Sequence, residues 1–352
     1  MEKNVTIRVY QALQEKVFPG CVIGVIDRAG GHMVMPFGRF TYDETSPDVL
    51  QHTLYDTASI TKAIPTSSLV LMLVDQGEVS LNDLLIRYIP EFSNSMRDRV
   101  RIKHLLTYSI DGYGLGAYKD MSSDEITRVI LTKDFEQEPG TLFKYTNIPA
   151  FLLGLVVERV MGASLDVLAS KYFFQPLDME HSVFHVPPSE RHLVPPTEIC
   201  EWRGQVVQGV VHDESAWRFA YEGKVVGHAG LFSTVPDLLR FAHMILNGGM
   251  IRGRRYFSER IIREMYTNQL PIPGETCGLG WEKGQVRYIG TQASQKTFAK
   301  TGFTGCLFAC DMEQGKAFVI LSNRTFPRRS ANSDAINAFR ADIANIVFKT
   351  TE

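Results

Sequence analysis

Apolar positions recur along this chain with two different periods. Over residues 5–16 they fall three to four apart, with Val5, Val9, Leu13 and Val17 on one side, which predicts an amphipathic helix. The run Gly20–Asp27 (GCVIGVID) and residues 32–40 (HMVMPFGRF) then read as a β-hairpin closed by the turn RAGG. From Ser59 the texture becomes helical, in SSLVLMLVDQG, LNDLLIRYIP, RIKHLLTYS, NIPAFLLGLVVERVMG and PDLLRFAHMILNGG, with Gly after several of the ends as a helix C-terminus prefers. Near Gly278 strand texture returns in KTFAKTG, GCLFACDM and KAFVILSNR, with an EQG turn between the last two. A final helix is predicted over about residues 332–348, its apolar stripe made by Ile336, Phe339, Ile343 and Ile346. Both ends of the chain thus supply strands and helices while the middle is mostly helical. The pattern predicts an α/β (α+β) architecture of two lobes within a single domain spanning 1–352. Residues 1–55 and 270–352 would build an antiparallel sheet lobe, and 56–269 an inserted helical lobe, with a cleft where they meet.

Composition narrows the function classes. With 352 residues, 44% apolar and 22% charged, the chain has ordinary globular proportions. A net charge of −2 gives no footprint for nucleic acid or for an anionic membrane surface. The longest apolar stretches, around 69–74 and 151–157, are far short of a membrane span. The segment MEKNVTIRVYQALQEK lacks an apolar signal core, which sets the expectation of a cytoplasmic protein. Five scattered cysteines (Cys21, Cys200, Cys277, Cys306 and Cys310) do not form a disulfide framework. Cys306 and Cys310 lack nearby metal-ligand partners, so buried small side chains are expected there in preference to a metal site.

Three short motifs carry candidate chemistry. Ser59 and Lys62 (SITK) stand one helical turn apart, so an ammonium would sit beside a hydroxyl. Serine becomes a nucleophile only when a neighbour takes its proton, and Lys62 can do so when burial and nearby cations lower its pKa. Thr57 and Ser59 suit a helix N-cap, and Pro65 is expected to tighten or bend the turn. Tyr145 and Asn147 (YTN) lie where a loop enters a helix, and can place a phenol base and a bridging amide in a cleft. Lys300, Thr301 and Gly302 (KTG) end a strand. They would offer a cation and a hydroxyl to a substrate carboxylate and a backbone that can be closely approached. The N–H of Phe303 could pair with that of Ser59 as an oxyanion hole. Each motif alone arises by chance.

In the order S-x-x-K, Y-x-N, K-T-G, the three together resemble the serine penicillin-recognising hydrolases, and the central Tyr places the likeness in the class C β-lactamase, D-alanyl-D-alanine carboxypeptidase and esterase branch. VFPGCVIGVIDR resembles the family's opening strand, VRIKHLLTYS its I-R-H-L-L-T-H-T-S helix, and GHAGLFSTVPDLLRFAHMIL its G-L-x-S-T-x-x-D-L-x-R-F segment. The resemblance spans roughly residues 15–325. It implies a β-lactamase/transpeptidase-like fold, no cofactor, and Ser59 as the acylated nucleophile. Lys62 and Tyr145 would share proton transfer, Asn147 and Lys300 would complete the polar network, and Thr301 would help anchor a carboxylate. HLLTYSID departs from the usual HLLTHTSGL, so the following loop is expected to differ in shape.

His228 either lines the pocket or is a loop histidine bonded to backbone. His212, Asp213 and Glu214 read as a loop-anchoring cluster in preference to a metal or acid–base site, and His104 as a helix residue outside the chemistry. The implied activity is cleavage of an ester or amide through an acyl-enzyme, on a small-molecule or peptide substrate with a carboxylate or a peptidoglycan origin. Class C-like β-lactam hydrolysis and D-Ala-D-Ala carboxypeptidation are the alternatives within enzymes; a scaffold that keeps the fold without turnover is the alternative outside them.

Overall fold

In the computed structural model, which describes residues 1–349, the first helix spans Glu2–Gln14 and buries Val5, Val9 and Ala12. Val5 and Val9 of the predicted stripe are buried as expected, but Ala12 takes the place of Leu13 and the helix ends at Gln14, before Val17. Six strands form one antiparallel sheet: β1 Gly20–Asp27, β2 His32–Gly38, β3 Glu282–Lys283, β4 Thr297–Thr301, β5 Leu307–Asp311 and β6 Lys316–Ser322. Their order is β2-β1-β6-β5-β4-β3, so strands from the two ends of the chain pair at the centre, Cys21 opposite Ser322 and Asp27 opposite Lys316.

β1 and β6 read as continuous apolar runs because both of their faces are covered. Alternate residues feed two separate cores. Cys21, Ile23 and Val25 join Phe318 and Ile320 beneath the terminal helices Glu2–Gln14 and Asp334–Val347. Val22 and Ile26 join Val319 and Leu321 against the helical lobe. On that face helix Val235–Leu246 packs directly over β1. A Cβ at Gly24 would stand 2.2 Å from Val235 Cγ1, so only glycine admits this approach. The edge strand β2 is only partly covered, as its mixed composition suggests.

The helical lobe is built around Ser68–Gln76 and Ile148–Met161, both largely buried. Gly77 and Gly162 end these helices in the left-handed conformation, as the sequence implied. All five cysteines are buried and unpaired. The loop after helix Ile102–Leu106 carries a positive φ of 52° at Tyr108, in the segment where the sequence departs from the family pattern.

Candidate active site

The turn that carries Ser59 leaves the sheet–helix junction under strain. Asp56 is buried and both of its carboxylate oxygens accept backbone N–H groups, from Ala58 at 2.8 Å and from His212 at 2.7 Å. Ala58 takes φ 48°, a conformation that L-residues rarely hold, and the chain enters a short 3₁₀ turn, Ala58–Lys62. Thr57 does not cap this turn as expected, because its hydroxyl donates instead to the Leu231 carbonyl at 2.8 Å. Ile64, ahead of Pro65, leaves the helical region at φ −119°, ψ 109°, which separates the turn from helix Ser68–Gln76. A 3₁₀ turn eclipses residues i and i+3. Lys62 Nζ accordingly donates to Ser59 Oγ at 2.8 Å and to the His228 carbonyl at 2.7 Å.

Lys62 is fully buried. Burial lowers its pKa and the Lys300 cation pushes the same way, while Tyr145 and Asp213 oppose them. Lys300, also buried, is held differently. Burial works against its charge, but its contacts with Glu282 (2.8 Å) and the Tyr108 hydroxyl (3.0 Å) keep it well above the usual lysine range. The two lysines of the motifs are thus placed in opposite electrostatic roles. Tyr145, 41% exposed, lies over both: its ring centre is 4.2 Å from Lys300 Nζ and 5.4 Å from Lys62 Nζ.

Asn147 donates to Asp213 at 3.0 Å. Asp213 also caps helix Glu214–Tyr221 through the Ala216 N–H (2.9 Å), accepts from Ser215 Oγ (2.7 Å) and lies 3.4 Å from His228 Nε2. Burial works against its charge, yet His228 and these donors hold the carboxyl well below its ordinary value. The expectation that His228 lines the pocket is corrected. Its ring is fully buried between Ser215 (2.9 Å) and Phe151, and it is the backbone carbonyl that reaches the site, through Lys62. The His212–Asp213–Glu214 cluster anchors loops as expected: His212 through its N–H to Asp56, and Glu214 through Arg329. His104 accepts the Arg101 N–H at the start of its own helix.

Ser59, Tyr145, Asn147, Thr301, Gly302 and Phe303 all border one cleft of about 380 Å³. A Cβ on Gly302 would lie 2.3 Å from the Thr57 carbonyl, so the KTG turn can close on the Ser59 turn only with glycine there. The backbone N–H groups of Ser59 and Phe303 meet no protein acceptor among the described residues. Such a pair can hold a developing oxyanion.

Sequence reasoning missed four participants. Tyr108 and Glu282 surround Lys300, and Arg324 and Arg340 border the cleft beside the KTG turn. Only Tyr108 left a signal, as the departure in HLLTYSID. Among the described residues, no group of three or more His, Cys, Asp or Glu side chains is placed to hold a metal ion.

Comparison with known proteins identifies the family and the fold. The putative D-alanyl-D-alanine carboxypeptidases of Salmonella agona (strain SL483) and Salmonella schwarzengrund (strain CVM19633) are 29% and 30% identical over 307 residues, covering 78% of this chain and 70% of theirs. Among solved structures, EstCE1, described as a hydrolase with promiscuous acyltransferase activity, superposes with a TM-score of 0.78 at 18% identity, covering 99% of this chain and 98% of its own. A β-lactamase/D-alanine carboxypeptidase from Pseudomonas syringae gives 0.77 at 19% identity, covering 100% and 99%. At these identities the structures establish the fold. The family description "Beta-lactamase" matches residues 7–343, and the chain therefore belongs to the Beta-lactamase family of serine hydrolases and penicillin-binding-protein-like enzymes.

Proposed function

We propose that the chain is a serine hydrolase that forms an acyl-enzyme at Ser59 and cleaves an ester or amide bearing a carboxylate. The observation that carries this reading is the 2.8 Å contact between Ser59 Oγ and a fully buried Lys62 whose charge is disfavoured by its surroundings. Ser59 Oγ attacks the substrate carbonyl and its proton passes to Lys62 or Tyr145. The N–H groups of Ser59 and Phe303 receive the tetrahedral oxyanion, the leaving group departs with a proton delivered by Tyr145, and water then releases the acyl group by the reverse path. Asn147, fixed by Asp213, orients the substrate amide, and Thr301 with Arg340 receives its carboxylate.

The relatives' name, putative D-alanyl-D-alanine carboxypeptidase, supports a peptide ending in a D-amino acid as the substrate class. β-Lactam turnover is the second reading, favoured by the same order of motifs. Intact mass after incubation with a fluorescent penicillin, a fluorophosphonate and a p-nitrophenyl ester tests both, each with a Ser59→Ala control. A Ser59-dependent adduct or turnover is expected. In Tyr145→Phe turnover should fall by roughly 10²–10⁴, the range for general acid–base catalysis. Equal activity in Tyr145→Phe and wild type would remove Tyr145 from proton transfer, and no reaction at Ser59 with any reagent would favour the scaffold reading.

A further inference from the structure

Beside the KTG turn, the cleft is lined by three guanidinium groups that meet no carboxylate among the described residues. Arg340 is 4% exposed. It donates to the Gly302 and Cys306 carbonyls at 2.8 Å and to Asn337 at 2.9 Å, and its Nε has no partner. Arg324 donates its Nε–H to the Phe303 carbonyl at 2.8 Å and stacks 4.8 Å from the Phe303 ring, and neither of its terminal nitrogens meets an acceptor among the described residues. Among the described residues Arg287 finds no side-chain hydrogen-bond partner, and it rests against the Tyr288 ring. The cleft carboxylates lie elsewhere. Glu214, with Glu198 behind it, is taken by Arg329, and Asp213 is taken by Asn147, Ser215 and the Ala216 N–H. Burial pushes the Arg340 guanidinium down to about 10 and Arg324 adds its repulsion, while the Glu282 carboxylate opposes them only from a distance, being bonded to Lys300 and Tyr288.

We propose that the cleft is built for a substrate with two carboxylates, one at Thr301, Asn337 and Arg340 and the second between Arg324 and Arg287. One monoanion at Arg340 would leave the free fork of Arg324 without an acceptor. The free fork of Arg324 presents the two parallel donors that a carboxylate accepts, and the exposed ring of Phe303, flanked also by Arg329 at 6.0 Å, holds that fork in place. The N-terminal end of helix Asp334–Val347, at Ser333 and Asn337, borders the same wall and favours negative charge. This inference rests on the reading of the cleft as the substrate site of Ser59 and names its substrate class, a dicarboxylate amide or ester.

Calorimetric titration with glutarate and with pentanoate, which match in carbon number and differ by one carboxylate, tests it without requiring turnover. Glutarate should bind at least about tenfold more tightly, the scale of one charge-assisted contact in a partly buried site. Arg324→Gln and the exposed Arg287→Gln should each reduce that ratio toward unity, and Arg324→Lys should restore part of it. Equal binding of the two acids, binding of neither, or a ratio unchanged in both Gln variants would overturn the inference. Fluorophosphonate labelling of Ser59 in the same preparations separates the two readings. Labelling without a glutarate preference sinks only the dicarboxylate. A glutarate preference lost in the variants, without labelling, supports the anion site and sinks the hydrolase reading.

Discussion

Asp56 and His212 flank the Ser59 turn with opposite dependence on pH. Burial raises the Asp56 carboxyl to about 6, against the N–H bonds from His212 and Ala58 that favour its charge. Burial, helped by Arg329, pushes the His212 imidazole down to about 3. For an acid whose pKa is raised by folding, the charged form costs stability. Asp56 therefore destabilises the fold above about pH 6 and ceases to do so as pH falls to its unfolded value near 4. The size is about 3 kcal/mol for a shift of roughly two units. For a base whose pKa is lowered, the sign reverses: His212 contributes stability above its unfolded value near 6.5 that is lost as pH falls toward about 3. The two largely cancel in the wild type over the same window. In Asp56→Asn the cancellation is lifted, and denaturant unfolding at several pH values should show the wild type losing stability relative to the variant as pH rises from 4 to 6. A pH-independent difference would show that the Asp56 carboxyl titrates normally.

At the scale of elements, the site depends on two turns meeting, Ala58–Lys62 from the helical lobe and the residues after β4. Gly302→Ala would drive a Cβ toward the Thr57 carbonyl at 2.3 Å, where neither backbone yields without moving Ser59 or Phe303. Stopped-flow acylation by the p-nitrophenyl ester should slow by roughly 10²–10³, the loss expected when one oxyanion donor is misplaced. An unchanged rate would mean that the two N–H groups do not act together. The elements themselves were legible because their signals are local. Short continuous apolar runs in β1 and β6 and the stripe Ile336–Phe339–Ile343 predict strands and a helix whatever surrounds them, and Ser59, Lys62, Tyr145 and the KTG turn stood out as spaced motifs. The form of the Ser59 turn was not legible, since the 3₁₀ geometry follows from Ala58 being pinned by Asp56 and from Pro65. Nor were the partners of Lys300 and the arginines. Glu282 stands 18 residues before Lys300 and Tyr108 192 before it, and only strand pairing and lobe packing bring them together. His228 misled for a related reason: its contribution comes from a carbonyl, which no residue type announces.

Across the described residues, the sheet is a wall between two cores, with the site on one side and the two terminal helices on the other. Phe18 and Phe339 meet edge to face at 4.9 Å between β1 and the C-terminal helix, both fully buried on the side away from Ser59. Arg8 ties the two terminal helices through Asp342 at 2.7 Å. This core closes the fold by joining residues more than 300 positions apart, and of its buried side chains Tyr288 alone, among the described residues, borders the cleft. Phe18→Ala should cost about 3–5 kcal/mol by loss of burial and a residual cavity, lowering the urea midpoint. In native buffer the variant should still label at Ser59 at the wild-type rate per folded molecule, because β1 and β6 remain paired by their backbones and the cleft-facing core is intact. The C-terminal helix and Tyr288 are the routes by which this separation could fail, since the helix carries Phe339 on its core face and Arg340 at the cleft, and Tyr288 belongs to both. A Phe18→Ala protein that stays folded but acylates slowly, with glutarate binding weakened in parallel, would show that packing beneath the sheet sets the position of Arg340. Loss of stability with both site readouts unchanged would show that the two faces of the sheet are energetically independent.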